Sequence, residues 1–394
     1  MKKIFKRGEQ GAVAILLLLA LAFTACGGYD KETNFKVSPL AGGKSVEITK
    51  YTGSNLAVKI PPRIQKMPVT KIGDSAFYDK ELVSVTIPKS VTVIGDSAFS
   101  GNSFPSITLP KGVTEIGYRA FDDCENLTSI TLPASVTSIG NNAFDGCTSL
   151  ATVTFAAGSK LETIGDEAFD GCENLTSITI PAGVTSISKN AFYGAKNLSN
   201  ITVDGNNPNY ASEGGIVYNK AKTEIVAVSQ GINGAVTLPA SVTSIGNSAF
   251  SGRTSLTSIT IPEGVTSIGG QAFYGCTSLA SITLPASVTS IGNSAFSGCT
   301  GLTSITIPEG VTSIGEQAFY GCTGLTSITI PAGLAKIGNG AFAGWTEAQT
   351  INIAGHPSQS AADRAWGYSV TYSWQISVTG WRAYCNAKIN YQGN

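Results

Sequence analysis

The dipeptide Ala-Phe recurs along most of the chain, with its phenylalanine at Phe77, Phe99, Phe121, Phe144, Phe169, Phe192, Phe250, Phe273, Phe296, Phe319 and Phe342. Successive copies stand 22 to 25 residues apart, apart from one gap of 58 between Phe192 and Phe250. Residues 254–276 (TSLTSITIPEGVTSIGGQAFYGC) and 300–322 (TGLTSITIPEGVTSIGEQAFYGC) differ at two positions. A fixed period of this length is the mark of stacked structural units, each too small to bury its own apolar face.

Within one copy, Leu256, Ile259 and Ile261 have the spacing L-x-x-I-x-I, with Ser258 and Thr260 alternating between them. That alternation predicts a half-buried strand. Pro262 lacks an N–H and suits the end of a ladder. Val265 and Ile268 point inward from a second extended piece, and Gly269 is expected to turn a corner that needs a permissive backbone. Gln271, Ala272 and Phe273 suggest a short helical or 3₁₀ turn. The fold class that follows is a β-rich repeat solenoid of about 23-residue coils, with parallel strands on its inner face, short turns carrying Ala-Phe, and a cap at each end.

Composition narrows the function. The chain of 394 residues has 26 basic and 26 acidic side chains, and only 13% of its residues are charged. The balance excludes the one-signed field of a nucleic-acid binder. With 42% hydrophobic residues the chain is too apolar for disorder. His356 is the only histidine, beside Pro357, so histidine-based nucleophilic and multi-histidine metal sites have little to stand on. Carboxylates such as Asp122, Asp123, Asp166 and Glu167 fall at turn positions and read as solvated. Every regular glycine belongs to the coil period, which leaves no phosphate loop. The chain is therefore not expected to be an enzyme, and no cofactor or metal is expected.

The first residues read as an address. Lys2, Lys3, Lys6 and Arg7 precede an apolar run of 13 residues from Gly11 to Phe23, too short to span a bilayer, which takes about 20. Phe23-Thr24-Ala25-Cys26-Gly27-Gly28 follows. This resembles a bacterial lipoprotein signal, in which Cys26 becomes the lipidated first residue; ordinary secretory cleavage near Ala25 and a retained anchor are the alternatives. More than one acyl chain would hold the protein on a membrane stably. Loss of residues 1–25 removes those four basic residues and Glu9, leaving 22 basic against 25 acidic.

The consensus L-x-x-I-x-I-P-x-x-V-x-x-I-G-x-x-A-F-x-x-C, carried over roughly residues 34–353, resembles the BspA-like, Treponema pallidum-type leucine-rich repeat family. Val46 to Tyr51 and Val69 to Phe77 look like that family's entry into its first coil. Ser188 in place of the corner glycine, and Phe155-Ala156-Ala157-Gly158 in place of the strand-ending proline, depart from the pattern and suggest local bulges. The resemblance implies a surface protein of a host-associated bacterium that binds matrix or plasma proteins such as fibronectin and fibrinogen, or cells.

The expected layout is a signal peptide at 1–25, a tether and N-terminal cap at 26–55, a first array at 56–202, an irregular insertion at 203–235, a second array at 236–345 and a C-terminal cap at 346–394. In the insertion, Gly215 to Tyr218 and Glu224 to Val228 read as strands of a hairpin-type coil, with a projecting recognition loop anchored by Tyr210 as the alternative. Past Trp345 the period fails, and Trp366, Trp374 and Trp381 gather in a segment that reads as a cap or a small attachment module. Ala348 to Ile353 could supply a last strand.

Cys124, Cys147, Cys172, Cys276, Cys299 and Cys322 each lie three residues after a repeat phenylalanine. Neighbours in a ladder stand about 5 Å apart, so bridging is open on distance, but odd-numbered stacks of parallel side chains favour free buried thiols. Lys80, Asn102, Ala195, Arg253 and Trp345 occupy the same position in other copies. The outward strand positions hold hydroxyls: Ser258 and Thr260, Ser281 and Thr283, Ser304 and Thr306, Ser327 and Thr329, with Ser106/Thr108 and Ser129/Thr131 in the first array. These are the candidate ligand-binding residues. They also suit strands for purely structural reasons, and Thr266 and Ser267 on the other side are hydroxyl-rich too. The function expected is a lipid-anchored adhesin of the cell surface or outer membrane, binding host matrix or cell-surface proteins. The alternative is a non-adhesive envelope protein that binds a bacterial partner or a glycan.

Overall fold

One coil of the computed structural model shows how the repeat closes. The strand Leu256–Thr260 ends before Pro262, and the Val265 N–H donates to the Pro262 carbonyl at 3.1 Å. The P-x-x-V spacing is thus a β-turn that redirects the chain into the short strand Ser267–Ile268. A corner at Gly269 leads to Ala272-Phe273, where N–H groups of Ala272, Tyr274 and Cys276 bond to carbonyls three residues back. Gln271, at φ 55°, interrupts the right-handed run, so these turns do not extend into a helix. The next coil then begins at the strand Ser281–Thr283. The structure describes residues 28–372 and 376–392; the leader and Cys26 lie outside them.

The corner glycine has a different reason from the one expected. Gly269 and Gly292 have no positive φ. A Cβ on Gly269 would lie 2.6 Å from the backbone of Asn247 and Gly246, and one on Gly292 would lie 2.5 Å from the Gly270 nitrogen. At these two corners the neighbouring coil approaches too closely for a side chain, and the left-handed conformation falls instead on the residue before Ala-Phe (Gln271, Ser294, Gln317).

Two compact units make up the chain, residues 1–198 and 199–394. In the first, a hairpin of Phe35–Pro39 with Val46–Tyr51 opens a sheet that runs on through Met67–Ile72, Val93–Ile94, Glu115–Ile116, Ser138–Ile139, Thr163–Ile164 and Ser186–Ile187. The first-ladder strands Ser106–Thr108, Ser129–Leu132 and Thr152–Phe155 pair in parallel. The two sequence departures do not bulge. Leu132 still pairs with Phe155 and Ile164 with Ile187. The insertion is taken up at the turn, with Gly158 at φ 73°, and the Ser188 hydroxyl bonds to Asp166 Oδ1 at 2.7 Å.

In the second unit the strand Asn200–Val203 is followed by three antiparallel strands, Tyr210–Glu213, Ile216–Asn219 and Ile225–Val228. Ile216, Tyr218 and Val228 join the unit's core, so this segment packs as an irregular coil, and Tyr210 is half-buried. Two parallel ladders follow: Gly234–Thr237, Leu256–Thr260, Ser281–Thr283 and Ser304–Thr306 form one, and Ser267–Ile268, Ser290–Ile291, Ser313–Ile314 and Lys336–Ile337 the other. Beyond Trp345 a coil is rebuilt from distant pieces. Thr350–Ala354 and Lys388–Gln392 extend the sheet from Ser327–Ile330, and the helix Gln359–Trp366 and the hairpin Tyr368–Tyr372/Ile376–Gly380 are looped out between them. Ser358 caps that helix by accepting from the Ala361 N–H.

The core of each unit is a column of phenylalanines. In the first, Phe77 through Phe192 stack with ring centroids 5.2 to 5.8 Å apart, and in the second Phe250 through Phe342 do so at 5.3 to 5.8 Å. Each ring contributes roughly 1.5–3 kcal/mol through burial alone. The columns end on other aromatics: Tyr51 stacks on Phe77, and Trp345 meets Phe342 edge-on.

Candidate functional site: the hydroxyl ladder and its neighbours

Parallel pairing in strict register places like side chains above one another. Ser258 faces Ser281 and then Ser304, and Thr260 faces Thr283 and then Thr306. Ile259, Ile282 and Ile305, between them, are buried. The alternation therefore drives the hydroxyls out to solvent, where all but the half-buried Ser258 are exposed. Ser327 and Thr329 hold the same strand positions and are exposed. They pair onward with Thr350 and Asn352, then with Lys388 and Asn390.

The two hydroxyl-rich faces differ in what their hydroxyls do. On the second ladder, Thr289 Oγ1 donates to the Thr266 carbonyl at 3.1 Å and Thr312 Oγ1 to the Thr289 carbonyl at 3.3 Å. Thr114 and Thr137 do the same in the first unit. Those threonines staple one coil to the next. Among the described residues, no hydrogen bond from the hydroxyls of Ser258, Thr260, Ser281, Thr283, Ser304, Thr306, Ser327 or Thr329 is formed within the chain. Cross-strand hydroxyl pairs are not formed among these residues, and their donors and acceptors face solvent.

Thr350, Asn352, Lys388 and Asn390 extend the face beyond what the period reveals. The shared x-I-N-x of Thr350–Ile353 and Lys388–Tyr391 was the readable trace of it. Asn390 Nδ2 donates to Asn352 Oδ1 at 3.0 Å, an amide pair continuing the hydroxyl rows.

The cysteines take no part in this face. The seven in the described residues are free, and the six of the repeat phase are buried. Each thiol donates to the carbonyl of the preceding coil's phenylalanine, as Cys276 does to Phe250 and Cys299 to Phe273, both at 3.0 Å. Asn102 donates to Phe77 at 2.8 Å and Trp345 Nε1 to Phe319 at 2.9 Å from the same phase. Burial pushes the thiols of Cys124, Cys276 and Cys322 up to about 12, so they are neutral at physiological pH.

Turn carboxylates of the first unit are not simply solvated. Asp122, Asp145 and Asp170 follow the phenylalanine in three successive coils. Burial, with the charges of Asp123 and Asp145, raises Asp122 to about 6. Burial, with the charge of Asp145, raises Asp170 to about 6. Glu167 and Asp145 both accept from Asn142 Nδ2, at 3.0 and 3.1 Å. In the second unit, Asp363 accepts both guanidinium arms of Arg382 and the Trp381 indole. Burial alone would raise Asp363, but these bonds hold it below the usual carboxylate range.

His356 packs edge-on against Trp366 with ring centroids 4.6 Å apart. Among the described residues no group of three or more His, Cys, Asp or Glu side chains is placed to hold a metal ion. Nor is any helix among them long and apolar enough to cross a membrane.

Comparison with known proteins agrees with this construction. Residues 70–199, 157–213 and 232–358 match the model of the BspA type leucine rich repeat region. A leucine rich cell surface protein from Faecalibacterium prausnitzii A2-165 is 30% identical, with 88% of this chain and 99% of that one covered and a TM-score of 0.65. A leucine-rich repeat protein from Bacteroides ovatus is 29% identical over 82% of this chain and 93% of that one, with a TM-score of 0.57. The pneumococcal vaccine antigen PcpA shares the fold, at 23% identity and a TM-score of 0.72, over 93% of this chain and 99% of its own. Among curated proteins none matches the chain significantly. The repeat consensus, the coil geometry and the family match converge: this chain belongs to the BspA-type leucine-rich repeat family.

Proposed function

We propose that this protein is a lipid-anchored bacterial cell-surface adhesin without catalysis, whose hydroxyl ladder engages host matrix or cell-surface proteins. The observation that carries the reading is the contrast between the two faces. One set of threonines is committed to holding coils together, while Thr260, Thr283 and Thr306 stand in register and exposed. Rows of uncharged donors and acceptors repeating every ~5 Å suit many weak contacts to one long partner. On a cell surface such contacts are multiplied by avidity. The cell-surface F. prausnitzii relative supports the location.

Surface plasmon resonance against immobilised fibronectin, fibrinogen and laminin tests the reading. Binding is expected, and Asp at Thr260, Thr283 and Thr306 together weakens it, since three carboxylates stacked along one face repel one another and the partner's acceptors. No binding to any of the three ligands would refute this version. Cys26→Ala is expected to move the protein from the membrane to the soluble fraction. Continued membrane partitioning of that variant would remove the anchor from the account. Protease treatment of intact cells should degrade the protein; protection would place it away from the host and favour an envelope partner.

A further inference from the structure

A groove of about 780 Å³ lies within the second unit, between the corners of its second ladder and the looped-out helix and hairpin of the terminal coil. Its volume falls in the range of small-ligand sites. It is separate from the hydroxyl ladder, since its floor is the strand rows Ser290–Ile291, Ser313–Ile314 and Lys336–Ile337 with Gly292, Gly315 and Gly338. We infer that this groove binds an uncharged oligosaccharide laid across successive coils.

Three features select that class. The floor backbone is already committed. The N–H groups of Gly292, Gly315 and Gly338 each bond to the preceding coil's isoleucine carbonyl at 2.8 Å, and Ser290, Ser313 and Lys336 pair in a parallel ladder. A peptide cannot add itself as a strand there. What the floor presents instead is side-chain chemistry. Among the described residues, the Ser290 and Ser313 hydroxyls, the Glu316 carboxylate and the Lys336 ammonium form no bond or ion pair within the chain. Asn293 and Asn339 use only their carbonyl oxygens, toward the N–H groups of Glu316 and Gly380, which leaves their amide donors open. Hydroxyl groups, being both donors and acceptors, can satisfy all of these.

The second feature is shape. The floor rows step by ~5 Å per coil, the scale on which successive sugar rings of an extended glycan repeat. Trp366 and Asp363 form the wall. The third is charge. Arg382 neutralises Asp363, and Glu316 and Lys336 offset each other, so the groove favours neither a polyanion nor a polycation.

The test is calorimetric titration of the full chain with cellohexaose, xylohexaose, mannohexaose, laminarihexaose and chitohexaose, with an extended Ser/Gly-rich peptide as control. At least one sugar is expected to bind and to shift tryptophan emission, because Trp366 lines the site. Glu316→Ala with Lys336→Ala, both at exposed positions, should weaken that binding by about tenfold or more with an unchanged thermal midpoint. Asp at Thr260, Thr283 and Thr306 should leave it unaltered, which separates this site from the hydroxyl ladder. Failure of all five sugars, binding that survives the double variant, or binding of the peptide alone would overturn the inference.

Discussion

The position three residues past each repeat phenylalanine shows what a single residue can supply here. Cysteine, asparagine and tryptophan all occur there, and each donates to the preceding coil's phenylalanine carbonyl. These residues fill a buried slot and bring a hydrogen-bond donor to it, whereas Ala195 fills the same slot without one. Cys299→Ala should cost about 0.5–1.5 kcal/mol, the range for one net hydrogen bond, since the Phe273 carbonyl keeps its bond from the Cys276 N–H, and Cys299→Ser should recover much of it; urea unfolding distinguishes them. Removing the ring itself costs more, and Phe296→Ala is expected to lose about 3–5 kcal/mol. Two glycines with different duties separate on substitution. Gly275→Ala introduces a side chain at φ 67° with open space around it and should cost about 1–2 kcal/mol. Gly292→Ala drives a Cβ against neighbouring backbone and should be worse.

At the scale of the element, the two units respond to acid in opposite directions. Asp122 and Asp170 titrate near 6 in the folded first unit, above the unfolded carboxylate value of about 4. A raised folded pKa means that the proton is held more tightly when folded. The stabilisation is complete below about pH 4 and is lost as pH rises through 6. The first unit should thus melt at a higher temperature at pH 5 than at pH 7, and Asp122→Asn with Asp170→Asn should flatten that dependence. Asp363 is lowered in the folded state by Arg382 and Trp381. Its contribution is present above about pH 4 and disappears as pH falls through its folded value. The protection of Gln359–Trp366 against hydrogen exchange, taken relative to the intrinsic amide rate at each pH, should fall in acid, and Asp363→Asn should show the reduced protection already at neutral pH.

Over the whole molecule, the solenoid fold was legible because every coil repeats the same burial problem, and the alternation in Ser258-Ile259-Thr260 fixes which side faces out. What escaped reading depends on contacts between coils. The role of Gly269 could not be seen from one copy, since the atoms that exclude a side chain belong to Asn247 and Gly246 one turn earlier. The continuation of the hydroxyl face onto Lys388 and Asn390 was hidden by a sequence separation of 38 residues between Asn352 and Asn390. The two threonine classes look alike as letters, and only the bonds of Thr289 and Thr312 tell them apart from Thr283 and Thr306. The cysteines lead to one further expectation for the chain. With the repeat thiols unbridged and buried, a reducing agent should leave thermal unfolding unchanged, and Ellman's reagent should find these six thiols only after denaturation.

Because residues 254–276 and 300–322 are nearly the same, either of these two turns presents nearly the same surfaces to the turns that flank the other. Unequal crossing-over between the corresponding gene segments can insert or delete whole turns without creating a single mismatched seam. A lineage carrying this protein can thus vary its number of turns by recombination alone, while the packing that holds each turn to the next stays as it was.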